Sequence, residues 1–463
     1  MSKFIITPGN RLEGEVTVYG AKNVAIKLIV ASMLTNDKVV IRNLPKIGDV
    51  TNAINVIRVL GSRVTWLDER SISIDNTNIH RVSVTENLSK RSRAALLIIG
   101  PLLNRFGKAI YHVPSSEQSV ELEERYGGKI RSVTGGDDIG GRSIDRHIEA
   151  YEALGANVIY EKGKFIFTCD ALKGGYYHFP ISSHMGTENA IIGAVLAEGQ
   201  TVLTNAAEEP EVDDLINFLN SMGADISRDK EDSRKIIING VRELEGTDYS
   251  IMGDPNQAVT YLSAALATKG FVVIKGINPS HINAYLAKVD KIGGHYEVEA
   301  GNVKVWMNEE DDFQPIPYFE TAIAPGFKTD WLAPFVVVLC RAMGTSKVQD
   351  TIYANRFGYI NELNKMGANI KVLTADEANV PFKCDDTWYT GKAKNVVEIT
   401  GPVDFTGAKV EGLDVRAGAS MVIAALVANS KTEVESVEHT LRGYEDFDGN
   451  LRKLGLNVVL EED

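Results

Sequence analysis

Apolar and polar positions along this chain fall into two patterns that alternate. The first is an amphipathic helical stretch, then a Leu, Met or Ile followed by glycine, then a strand. It reads AINVIRVLGSRV, HIEAYEALGANV, LINFLNSMGADI, YLAKVDKIGGHYEV, YINELNKMGANI and NLRKLGLNVV. Its glycines are Gly61, Gly155, Gly223, Gly293, Gly367 and Gly455. Each stands where a helix end favours a left-handed residue, which predicts a C-terminal cap.

The second pattern is a stretch apolar on nearly every side, then a polar turn, then a strand. Its copies are AIKLIVASMLTNDKVVI, RAALLIIGPLLNRFGKAIY, ENAIIGAVLAEGQTVL, NQAVTYLSAALATKGFVVI, WLAPFVVVLCRAMGTSKVQ and ASMVIAALVANSKTEVE. Helices this apolar belong inside a protein. The alternation predicts six units, with a repeat of roughly 70 residues. Insertions lengthen it at His112 to Val133 and at Leu373 to Val397. Buried helices inside and sheets outside, as two domains of three units each, satisfy the pattern. A linear solenoid of six units is the other arrangement such repeats allow.

The buried helices begin on polar or charged residues: Lys22-Asn23, Ser92-Arg93, Thr187-Glu188-Asn189, Asp254, Thr329-Asp330 and Asp414-Arg416. Lys22, Arg93 and Arg416 oppose the positive end of the helix dipole. If these helix starts converge, their amides and cations form an anion site.

One stretch breaks the pattern. Thr134 to His147 reads TGGDDIGGRSIDRH, with Gly135, Gly136, Gly140 and Gly141 around Asp137 and Asp138. Such glycine density is costly to order and predicts a loop, not a core element. Its charges read either as a lid that brings charge to a substrate, at residues 134–142, or as a solvated surface loop.

Composition narrows the function. The net charge of -13 speaks against a general nucleic-acid binder, while a local basic site for a small anion remains open. Cys169, Cys340 and Cys384 are too widely spaced for a disulfide framework or a metal pattern, and Cys340 reads as core filler. The N-terminus has no apolar signal core, and no apolar run reaches membrane-spanning length. A reducing cytoplasm is the expected location.

Several motifs together resemble the enolpyruvyl transferases, and within them the branch that uses UDP-N-acetylglucosamine. They are GAKN from Gly20, RAALLIIGPLL from Arg93, GGDDIGGRSIDRH from Gly135 and GTENAIIGAVLAEG from Gly186. AAEEPEV from Ala206, FKTD ending at Asp330, YANRFGYINELNKMGA from Tyr353, LDVRAGAS from Leu413 and HTLRGYE from His439 complete the set. The resemblance implies an α/β fold: a two-domain inside-out α/β barrel of six repeated βαβ-type units, with its active site in the interdomain cleft. One domain would span 22–249 and the other 1–21 plus 250–463.

It also implies the reaction. Phosphoenolpyruvate is protonated at its methylene carbon, the sugar 3-hydroxyl attacks the adjacent carbon, and the tetrahedral ketal loses a proton and phosphate. This is the first committed step of peptidoglycan synthesis. No cofactor or metal takes part. The implied catalytic residues are Asp137 as general acid, Asp330 as base for the hydroxyl, Lys22 and Arg442. The implied substrate contacts are Lys22, Asn23, Arg93, Arg142, Ser143, Ile144, Asp145, Arg146, His147, Ser183, His184, Asp330, Ile352, Arg416 and Arg442. A small, multiply charged anion favours arginine for its two-pronged contacts.

The chain differs from the family at five positions. Asp137 stands where most members carry a lid cysteine, the target of fosfomycin, which implies resistance to that drug. A free aspartate titrates near about 3.9. Closure of the lid and the neighbouring charge of Asp138 would both favour the protonated acid. Ser143 replaces a proline, Ile181 a lysine, Ala354 a glutamate and Leu441 an aspartate. These bear on the acceptor more than on the enolpyruvyl chemistry. An acceptor other than UDP-N-acetylglucosamine, or a weakly catalytic sugar-nucleotide-binding paralogue, are the alternatives; the oligomeric state is unknown.

Overall fold

The structure, a computed structural model, describes residues 2–9, 11–91, 94–113, 131–132, 142–354, 356–385 and 391–462. It divides into two compact units, one of Gly20–Met252 and one of Met1–Tyr19 with Gly253–Asp463.

In the second unit the helices Pro255–Ala267, Leu332–Leu339 and Val415–Leu426 are buried along their whole length. Each fully buried Leu or Val there contributes about 1.5–3 kcal/mol. Asp254 and Asp414 cap two of them, each accepting from two backbone amides of the first turn. Among the described residues, three four-stranded sheets belong to this unit. The N-terminal strand Lys3–Thr7 lies between Thr432–Glu435 and Asn457–Glu461, and Glu13–Thr17 pairs parallel with Phe271–Lys275. These pairings tie the start of the chain to its second half.

The unit Gly20–Met252 is built alike. Its buried helices include Lys22–Ala31 and His184–Ala194. The strand Asp248–Ser250 pairs parallel with Val39–Arg42, which binds the end of the segment into this unit. Each four-stranded sheet of the protein combines one parallel pairing with two antiparallel ones. The three-stranded sheet of Lys108–His112, Lys164–Thr168 and Asn157–Glu161 gains a parallel bridge from Ser83 to Ile110. Strand alternation sets the layers: Phe165 and Phe167 point inward at 0% and 1% exposure.

Gly61, Gly155, Gly223, Gly293, Gly367 and Gly455 all have positive φ, between 82° and 123°. The repeated Leu/Met/Ile-Gly pair therefore marks six helix ends, as the pattern requires. Two expectations about the helices are corrected. The apolar run from Arg93 is not one helix but Ala94–Leu97 followed by Ile99–Phe106. Pro101 has no amide hydrogen for the carbonyl of Leu97, which breaks the ladder there. The third buried helix begins at His184, not at Thr187, because the Ser183 side chain accepts from the Gly186 amide and caps it. Glu188 and Asn189 thus lie more than one turn inside the helix, both 0% exposed. Among the described residues no helix is long and apolar enough to cross a membrane.

Candidate active site

In the unit Gly20–Met252, Lys22 is the first residue of its helix, and no side chain caps that end. Lys22 Nζ lies 3.0 Å from Asp49 Oδ2, in the first turn of the helix Gly48–Leu60. Asn23 follows Lys22, half-buried. The Asp49 carboxylate compensates a cation placed against the helix dipole and holds it in position.

The helix Asp145–Ala153 carries the next group. Ile144 is buried, and its carbonyl accepts from the amides of His147 and Ile148. Asp145 and Arg146 are half-buried in the first turn. His147 is 2% exposed, and its Nδ1 lies 2.9 Å from Asn189 Nδ2. Asn189 Oδ1 in turn accepts from the Tyr151 hydroxyl at 2.8 Å. His147 is thus part of a buried polar link between two helices. Arg142-Ser143 forms a short antiparallel ladder with Arg131-Ser132. Ser183 serves as a helix cap, and His184 Nε2 lies 3.0 Å from Glu188 Oε1. Arg93 and the lid acid Asp137 lie outside the described residues.

In the other unit, Asp330 sits in the turn Thr329–Trp331 that leads into the helix Leu332–Leu339. Its Oδ1 accepts from Arg356 Nη2 at 2.7 Å, and its Oδ2 lies 3.5 Å from Arg416 Nη2. Arg356 Nη1 donates to Thr329 Oγ1, whose hydroxyl donates to Asp350 Oδ2 at 2.7 Å. Asp350 Oδ1 also accepts from the amide of Ile352 at 2.9 Å, fixing that half-buried residue. Burial works against the charge on Arg356, but Asp330, Asp414 and Asp350 around it keep the guanidinium protonated.

Arg416 is 3% exposed, with its guanidinium carbon 5.0 Å from the centre of the Tyr444 ring. Its Nη1 is buried and finds no hydrogen-bond acceptor among the described residues. A buried guanidinium N–H without a partner is costly, and an anion would satisfy it. Arg442 caps the short helix Glu438–Leu441. That helix packs tightly on Val415–Leu426: a methyl on Gly418 would lie 1.9 Å from Thr440 Oγ1, and one on Gly443 2.5 Å from Val415 Cγ1. Two glycines therefore let Arg442 approach the helix start that carries Arg416.

The structure thus joins Asp330 to Arg416, brings in Asp414, which the sequence marked only as a helix start, and adds Arg356 and Asp350, which the sequence reading did not single out. Arg356 lay within a motif already recognised, YANRFGYINELNKMGA. Asp49 had no local signal beyond an acid in a helix's first turn. Chemically, these groups can hold a multiply charged anion and offer a carboxylate to take a proton. Among the described residues no group of three His, Cys, Asp or Glu is placed to hold a metal.

Comparison with known proteins adds the following. The model of the family described as EPSP synthase (3-phosphoshikimate 1-carboxyvinyltransferase) matches residues 6–451. UDP-N-acetylglucosamine 1-carboxyvinyltransferase 3 of Caldanaerobacter subterraneus subsp. tengcongensis is 36% identical over 462 residues, covering 99% of each chain. UDP-N-acetylglucosamine 1-carboxyvinyltransferase 2 of Bacillus subtilis is 34% identical over 461 residues, covering 100% of this chain and 97% of its own. Among solved structures, the enolpyruvyl transferase NikO from Streptomyces tendae superposes with a TM-score of 0.82 at 19% identity, over 99% of both chains. An EPSP synthase from Acinetobacter baumannii gives 0.70 at 17% identity, over 100% of both. These two share the α/β two-domain fold.

Proposed function

The chain belongs to the enolpyruvyl transferase family, and from that premise we propose that it transfers the enolpyruvyl group of phosphoenolpyruvate to the 3-hydroxyl of UDP-N-acetylglucosamine. The observation that carries this reading is the buried, acceptor-less Nη1 of Arg416 beside Asp330. An anion at Arg416 would place the carboxylate within reach of a hydroxyl that attacks it. Identities of 34% and 36% over nearly the full length favour the UDP-N-acetylglucosamine branch.

In this mechanism Asp137 gives its proton to the methylene carbon, and Asp330 takes the proton of the 3-hydroxyl as the oxygen bonds to the adjacent carbon. The ketal then returns a proton from its new methyl group and expels phosphate. Lys22, Arg416 and Arg442 hold the anionic groups throughout, and their electrostatic stabilisation does most of the work. The products are the enolpyruvyl sugar nucleotide and phosphate, and the step belongs to cell-wall precursor synthesis.

Phosphate release from phosphoenolpyruvate is the test, measured across a panel of nucleotide sugars and shikimate 3-phosphate. Fastest release with UDP-N-acetylglucosamine is expected. Faster release with another acceptor would replace it, and no release with any would remove the transferase reading.

A further inference from the structure

Among the described residues, five repeat units follow their amphipathic helix with an antiparallel hairpin. Four close it quickly: from Trp66 to Ile72, Glu161 to Lys164, Arg228 to Ile236 and Glu299 to Asn302. The fifth runs from Leu373 all the way to Val396. The described parts of that excursion are residues 374–385 and 391–395. A hairpin needs no such length, and each residue ordered costs about 1–2 kcal/mol of backbone freedom. Closing the sheet is therefore a poor account of it.

The excursion folds back over the end of the strand Gly344–Gln349. Lys347 Nζ donates to the Ala378 carbonyl at 3.1 Å, and Gln349 Nε2 donates to the Pro381 carbonyl at 3.2 Å. Asn395 grips Asp350 at both ends of its backbone. The Asn395 carbonyl accepts from the Asp350 amide at 2.8 Å, and Asn395 Nδ2 donates to the Asp350 carbonyl at 3.1 Å. The same Nδ2 donates to the Lys383 carbonyl at 2.8 Å, and the Asp385 amide donates to the Thr351 carbonyl at 2.6 Å. Gln349, Asp350 and Asn395 are each 0% exposed. Away from water, these backbone groups rely on the excursion for their partners.

The Asp350 side chain carries this hold toward the site. Its Oδ1 accepts from the Thr321 hydroxyl and from the amides of Ile352 and Tyr353, and its Oδ2 accepts from the Thr329 hydroxyl. Thr329 Oγ1 in turn accepts from Arg356 Nη1 at 3.0 Å, and Arg356 Nη2 donates to Asp330 Oδ1. We propose that residues 374–385 and 391–395 are a positioning element for Asp330, with Asn395 and Asp350 as its positioning residues. The excursion fixes the backbone of Gln349, Asp350 and Thr351. That backbone fixes the Asp350 carboxylate, which sets Thr329 and Arg356 against Asp330. The inference rests on the function proposed above for the role of Asp330 as base.

The test replaces residues 374–395 of the full-length protein by Lys-Gly, the pair that joins Glu161 to Lys164. Lys162 and Gly163 both have positive φ, as a two-residue hairpin turn requires. Asn395→Ala is the milder variant, and it carries the test if the replacement does not fold by circular dichroism. Steady-state constants are measured against pH for UDP-N-acetylglucosamine and phosphoenolpyruvate. Expected are a kcat lower by about 10-fold or more and smaller changes in both KM values. The acid limb of the kcat profile should move to higher pH, because a carboxylate loosened from a guanidinium holds its proton more tightly. In an Arg356→Lys background the same changes should cost little further turnover, since the excursion acts through Arg356. Hydrogen exchange at the Ile352 and Tyr353 amides should speed up. Native kcat in a folded variant would overturn the proposal, as would a loss that multiplies in full with that of Arg356→Lys. If the native protein releases no phosphate with any acceptor, the base role of Asp330 fails by itself. Native exchange at Ile352 and Tyr353 in the variants would then still overturn the positioning.

Discussion

Arg356 Nη2 donates to Asp330 Oδ1 at 2.7 Å, so the carboxylate assigned to proton removal is held by a guanidinium that is itself only 8% exposed. Arg356→Lys should therefore not be conservative. Lysine cannot span both Asp330 and Thr329, as the two Nη atoms do. We expect kcat to fall by about 10-fold or more, from a lost charge-assisted contact of roughly 1.5–3 kcal/mol. Steady-state kinetics on the folded variant checks this; an unchanged kcat removes Arg356 from the site.

Lys22→Ala and Arg442→Ala should each lose most turnover while the fold survives. The loss expected for one charge-assisted contact is about 10- to 150-fold. Asp49→Asn should share part of the Lys22 defect, because its carboxylate lies 3.0 Å from Lys22 Nζ. Near-full activity at saturating phosphoenolpyruvate in either alanine variant would dismiss that residue as an anion ligand. Circular dichroism of each variant separates this from unfolding.

The protein should resist fosfomycin. A thiolate opens the epoxide far more readily than a carboxylate, and the lid position is Asp137. Cys340 offers no substitute target, because it is 0% exposed and burial pushes its thiol pKa far up. Asp137→Cys should become time-dependently inactivated by the drug, and Asp137→Asn should be nearly inactive, since an amide cannot deliver the proton. Covalent inactivation of the native protein, or full turnover in the asparagine variant, would take the acid role away from Asp137.

Gly61→Ala should destabilise the unit Gly20–Met252. Gly61 has φ of 123°, and a Cβ there would lie 2.2 Å from the Asn78 carbonyl oxygen. Backbone strain of this kind costs roughly 1–3 kcal/mol, before any cost of moving Asn78. Gly155→Ala, at φ 84° with nothing near the added methyl, should cost less. Urea denaturation of the two variants decides whether the carbonyl contact matters.

Stability should depend on pH through His184. Its pKa is raised in the folded protein: burial and Lys27 oppose its charge, but Glu188 and Glu209 outweigh them. A raised histidine contributes stability that is fully present below its unfolded value of about 6.5. That contribution is lost as pH rises through the folded value. The stability gap between the native protein and Glu188→Gln should therefore be larger at acid than at alkaline pH. A gap that is constant, or that widens with alkali, would show that Glu188 does not raise the His184 pKa.

The sequence by itself determined the repeat. Helix periodicity, the apolar helices and the glycines at positive φ depend on residues a few positions apart, and six copies of each made the pattern plain. It also contained the helix break, since Pro101 alone forbids the bond to Leu97. Only the tertiary structure decided which charges meet. Lys22 with Asp49, Lys27 with Glu188 and His184, and Asp330 with Arg356 and Arg416 come together through helix packing. Gly418 and Gly443 set one such approach by the side chains they lack. The reason is physical: the strength of an ion pair depends on burial and on its surroundings. Neither exists until distant segments have packed.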